Sequence, residues 1–127
     1  PYNVPIDGHV SGLGRVKHRE FALASGEMDQ MSFIAFLTDT LGAASSQLTD
    51  GAIAYVCMDW RHMRELLAAG VAVFTDLYNL CVWNKTNGRL GSFYRLMPEL
   101  VFVFKKRSAA HINIFCLSYT TPRTRYR

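Results

Sequence analysis

The chain has 127 residues, half of them hydrophobic and 19% charged. That excludes a disordered chain and leaves room for one modest domain with its own core. The net charge is +4 and the pI about 9.2, a tilt toward an anionic partner such as nucleic acid.

The charge is divided along the sequence. From Lys85 onward the chain holds nine of its fourteen Lys and Arg against one acid, Glu99. Three cysteines, Cys57, Cys81 and Cys116, are an odd number at wide spacings. They read as buried thiols in a reducing cytoplasm, with no zinc site. No run approaches the ~20 apolar residues of a membrane span, so no membrane partner is expected. There is no secretory signal, and the opening Pro-Tyr-Asn lacks a starting Met, so the expectation is a chain that begins inside something longer.

In chain order, residues 1–19 hold two Pro and three Gly and read as a loop. Glycines 8, 12 and 14 do not form a phosphate cradle, because no strand precedes them and the Lys-Ser/Thr is missing. Residues 28–48 predict a helix, with Met28, Met31, Ile34, Leu37, Leu41, Ala44 and Leu48 as its apolar stripe. Residues 51–58 predict a strand. Asp59 is suited to cap the next helix and Gly70 to end it, with Trp60, Met63, Leu66 and Leu67 inside and His62 on the polar side. Residues 71–78 read as a connector anchored by Val73 and Phe74. The runs 80–83 and 100–104 predict strands buried on both faces. The polar stretch 84–98 between them is too long for a tight hairpin and reads as a long loop. Helices alternating with strands predict an α/β sheet, with ligands gathering beyond the carboxyl ends of its strands. Asp59, Asn84 and Lys85 fall at such ends.

Four passages carry a family resemblance. Pro1-Tyr2-Asn3-Val4 resembles the back half of an Asp-Pro-Pro-Tyr motif. The strand leading into Asp59-Trp60-Arg61-His62 follows it. Then come Asn79-Leu80-Cys81-Val82-Trp83-Asn84-Lys85 and Gly91-Ser92-Phe93-Tyr94-Arg95, with Glu99-Leu100-Val101-Phe102-Val103-Phe104-Lys105 beyond. In this order they resemble the DNA amino-methyltransferases, the adenine-N6 and cytosine-N4 methylases, over residues 1 to about 112.

The resemblance implies a partial Rossmann-like fold dependent on S-adenosylmethionine: the second half of the sheet, three strands with helices, the last strand antiparallel. It divides the chain into a partial catalytic domain, 1–112, and an atypical tail, 113–127, expected to be a shifted or truncated reading frame. It implies Pro1 and Tyr2 as catalytic residues, with Tyr2 as the ring on which an everted base stacks. Asn3, Arg15, Lys17, Arg19, Lys85, Arg89 and Arg95 become the implied contacts to double-stranded DNA. A restriction enzyme as cognate partner, and a dimer, are compatible with it. No metal is implied.

The chemistry behind the motif is physical. An exocyclic amino group is a poor nucleophile because its lone pair is delocalised into the ring. Acceptors for its two N–H groups favour a tetrahedral nitrogen, and positioning supplies the rest. Taking the base out of the duplex costs a few kcal/mol, offset by stacking on an aromatic ring at roughly 1–3 kcal/mol. The motif's Asp and first proline would precede Pro1. The cofactor signature Phe-x-Gly-x-Gly occurs nowhere in the chain, and Met97-Pro98 stands where the family carries His before Glu99. This chain alone is therefore expected to be inactive. The alternative is a small basic nucleic-acid-binding domain without catalysis.

Overall fold

The computed structural model describes residues 2–5, 19, 21–89 and 96–111, with backbone only at 86–89 and 96–97. The elements run α1 (Gln30–Ser46), β1 (Ile53–Met58), a 3-10 turn (Trp60–His62), α2 (Met63–Val73), β2 (Asp76–Arg89) and β3 (Leu96–Lys105). The described fold is thus mixed α/β. The three strands form one sheet in the order β1-β3-β2, and β3 runs antiparallel to both neighbours. It follows that β1 and β2 are parallel to each other, joined by the turn and α2.

Register sorts the side chains. Ala54, Val56 and Met58 on β1 face Phe104, Phe102 and Leu100 on β3. Because strand residues alternate between faces, these six share one side. With Phe33 and Leu37 of α1 and Leu66 and Ala69 of α2, they build the core. Gly70 lies inside α2 rather than ending it. A Cβ there would collide with the Phe104 ring, so the glycine buys close approach of helix to sheet. The helix runs on to Val73, and Phe74 is buried just beyond it.

Asp59 caps the 3-10 turn as expected, its carboxylate accepting from the Arg61 N–H at 2.9 Å. At α1 the N-cap is Asp29, which accepts from the Ser32 N–H at 2.7 Å. That bond holds the Asp29 carboxyl below its ordinary value.

Several expectations are corrected. The expected stripe of α1 holds in part: Leu37 is buried and Met28, Leu41 and Leu48 pack against the core, but Phe33 is the most enclosed side chain of the helix and Met31 is 74% exposed. The helix carries apolar side chains around much of its circumference, so its period alone fits more than one phase. Trp60 is half exposed. His62 is not a surface side chain: its ring meets Phe33 edge-on at 5.2 Å. Of the two apolar runs, only 100–104 is enclosed, because β3 is the central strand. The run 80–83 lies on an edge strand, with Val82 60% and Trp83 61% exposed. The polar stretch 84–98 is mostly hairpin strand rather than loop, since β2 reaches Arg89 and β3 starts at Leu96. Cys57 and Cys81 are exposed free thiols, because both flank Val101 on the sheet face away from the core. Cys116 and the tail 113–127 lie outside the described residues.

Candidate functional site

The carboxyl end of β1 forms a rim with its neighbours. Met58 pairs with Leu100, and Leu100 with Val82. One step beyond that row stand Asp59, Glu99 and Trp83, with Glu99 and Trp83 directly paired. Lys85 follows two residues along β2, on the same face as Trp83.

Tyr2 sits at this rim. It is half-buried and packs against the edge of the core cluster. Glu99, Cys57 and Asp59 lie within electrostatic reach of its hydroxyl. Burial pushes the phenol well above its ordinary pKa, and the nearby Glu99 carboxylate pushes it further. Glu99 in turn accepts a short charge-assisted bond from Lys85 Nζ. The same Nζ lies 5.8 Å from the centre of the Trp83 ring. Carboxylate, ammonium and indole thus form one connected cluster, with the Tyr2 phenol nearby.

The backbone that delivers Tyr2 is fixed by its neighbour. Asn3 is buried and takes a positive φ of 51°, which asparagine tolerates better than most residues. Its Nδ2 donates to the Met28 carbonyl at 2.8 Å, and its Oδ1 accepts from the Gly26 and Met28 N–H groups at 3.0 and 3.3 Å. The segment it grips is folded on itself by Glu27, whose two carboxylate oxygens accept from the N–H groups of Ala24 and Ser25 at 2.6 Å. Asn3 is therefore a latch between the N-terminal strand of chain and the entry to α1, not an outward DNA contact. Both ends of its amide are already bonded.

The other sequence-implied residues are not gathered at one place. Lys85 is at the rim but is paired with Glu99. Arg19 is exposed. Arg89 belongs to β2, and its side chain is not described. Pro1, Arg15, Lys17 and Arg95 lie outside the described residues. Sequence reasoning gave Glu99 and Trp83 no role of their own. A signal for Glu99 was present: it is the one acid in the basic second half, and it heads an apolar run, which puts it at the start of a buried strand.

Beyond Lys85, three further cations of the second half that are described make structural bonds. Lys105 is buried, with Nζ donating to the Tyr78 hydroxyl at 3.1 Å. Lys106 Nζ donates to the carbonyls of Ser45 and Leu48 at 2.6 and 2.7 Å, at the end of α1. Arg107 pairs with Asp50 at 3.3 Å.

The two described glycines with positive φ, Gly26 and Gly51, are both closely packed: a Cβ at Gly26 would lie 2.9 Å from the Pro5 ring, and one at Gly51 would lie 2.8 Å from the Ala109 carbonyl oxygen. Among the described residues there is no cluster of metal-ligating side chains and no helix long and apolar enough to cross a membrane.

No protein-family model, curated protein or solved structure matches this chain.

Proposed function

We propose that this chain carries the base-holding part of a DNA amino-methyltransferase of the adenine-N6 or cytosine-N4 kind. Its sheet would then be the second half of a Rossmann-like methyltransferase sheet, and Tyr2 the platform for an everted base. One observation carries the reading. The Tyr2 ring stands near the carboxyl-end rim of β1, half-buried against the edge of the core and close to Glu99, rather than inside the core or out in solvent. By the resemblance, that rim is where the base would be held. The antiparallel last strand agrees with the family pattern that the motifs resemble. The methyl donor would be held by residues other than those described.

The alternative, a domain that binds nucleic acid through a general basic surface, has less support. Lys85, Lys105, Lys106 and Arg107 are each engaged by a carboxylate, a hydroxyl or backbone carbonyls. Only exposed pairs such as Arg107 with Asp50 are easily exchanged for phosphate.

The test compares two duplexes of identical sequence. In one, a 2-aminopurine stands opposite an abasic position, so it leaves the stack at little cost; in the other it is fully paired. The reading predicts tighter binding of the first by about ten-fold, the worth of one base–aromatic stack. Equal binding of both would contradict it. The chain by itself is expected to transfer no methyl group, since the cofactor signature is missing from its sequence.

A further inference from the structure

We infer that the turn at residues 24–28 is the seat of the Tyr2 platform, with Asn3, Gly26 and Glu27 as positioning residues that hold the ring in place without touching a base. The inference rests on the reading of Tyr2 as a base platform.

Tyr2 belongs to no helix or strand, so no ladder of backbone bonds orients it. Its ring packs against the edge of the core cluster, and its backbone passes directly into Asn3. The Asn3 amide uses its donor and its acceptor on one short stretch of chain: the Met28 carbonyl on one side, the Gly26 and Met28 N–H groups on the other. Two residues further on, Pro5 lies over Gly26. A Cβ at Gly26 would come within 2.9 Å of the Pro5 Cδ, and the φ of 103° there suits glycine alone. The segment 2–5 is thus keyed to the turn twice, by hydrogen bonds at Asn3 and by shape at Pro5.

The turn has its own bracing. Ala24 is fully buried with a positive φ of 58°, a conformation that is unfavourable for a residue with a Cβ. Its shape is therefore imposed by bonds, and the Glu27 carboxylate supplies two of them, to the N–H groups of Ala24 and Ser25. Asp29, next in the chain, caps α1, the helix that sends Phe33 and Leu37 into the core. A run of fixed contacts therefore leads from the core through α1 and the turn to Asn3 and the ring. A ring ordered in advance lowers the ordering cost of the binding step.

The two duplexes described above test this, with fluorescence as a second readout, because stacking on Tyr2 quenches the everted 2-aminopurine. Asn3→Ala and Gly26→Ala are expected to cut the preference for the duplex with the abasic position from about ten-fold to about two-fold, with most of the quenching lost. Affinity for the fully paired duplex should stay the same, which separates a misplaced ring from an unfolded chain. Asn3→Gly accepts the positive φ without strain, so its loss reports the amide alone and should match that of Asn3→Ala. Glu27→Gln, which keeps one carbonyl acceptor, should fall between these and wild type. Combined with Tyr2→Ala, none of them should lower the preference further, as for residues acting as one unit. Should the Asn3 variants fail to fold, the exposed Glu27 carries the test through Glu27→Gln and Glu27→Ala. Wild-type preference and quenching in the Asn3 or Glu27 variants, or an equal loss of affinity for both duplexes, overturns the positioning role while leaving the platform intact. A Tyr2→Ala variant that keeps the preference overturns the platform itself.

Discussion

The two ends of the sheet each place a lysine among oxygen acceptors, and the acceptors differ. At the amino end of β1, Lys106 closes the last turn of α1 by donating to Ser45 and Leu48 carbonyls, groups that a helix cannot satisfy internally. The backbone there is equally closed: Gly51 N–H donates to the Lys106 carbonyl at 2.7 Å, and Lys106 N–H returns a bond to Ala52 at 3.0 Å. At the carboxyl end, Lys85 meets the carboxylate of Glu99, close to the half-buried Tyr2. One end completes backbone hydrogen bonding. The other pairs two side-chain charges beside a half-buried ring. A polar cluster that does no backbone work, beside an open rim, is where a binding role belongs.

Between the ends lies the shared support, so the largest expected effect removes both at once. Phe104 stacks on Phe74 at 5.3 Å and fills the space over Gly70. Phe104→Ala should cost about 3–5 kcal/mol, enough to unfold most of a small domain, as read by urea denaturation. Next, Lys106→Met should cost about 1–3 kcal/mol by leaving helix-end carbonyls unpaired, with no change in affinity for the 2-aminopurine duplex. A loss of affinity at unchanged stability would blur the contrast between the ends.

The rim should show itself in alkaline solution. The Tyr2 phenol has a folded pKa above its unfolded value. Its stabilising contribution is therefore complete below about pH 10, the unfolded tyrosine value, and is lost as pH climbs toward the folded value. Spectrophotometric titration should find one tyrosine ionising later than an ordinary phenol, and Tyr2→Phe should remove that late step. The smallest effect is expected at Arg107→Met. Its pair with Asp50 is exposed, and such pairs contribute about 0–1 kcal/mol.

Much of the order of elements is legible in the sequence. The Asp59 cap, the strand 53–58 and the apolar run 100–104 declare themselves through local chemistry. What is not legible depends on neighbours. The runs 80–83 and 100–104 have the same character, yet one is exposed and the other enclosed, because β3 lies between β1 and β2 and β2 is left at an edge. Gly70 looks like a helix end, but the Phe104 ring, 34 residues away in sequence, makes it a packing position. Asn3 looks like a motif residue facing DNA, and its burial depends on a turn at 21–28 that no periodicity marks. For the rim, Tyr2 is singled out by the motif it resembles, whereas its closeness to Glu99, 97 residues on, has no local trace.

The most direct measurement is the affinity of Tyr2→Ala and Tyr2→Phe for the duplex with 2-aminopurine opposite an abasic position. A stacking platform predicts that Tyr2→Ala weakens binding by about ten-fold and abolishes quenching, while Tyr2→Phe, which keeps the ring, stays within a few-fold of wild type and still quenches. Wild-type affinity and quenching in Tyr2→Ala would contradict the assignment.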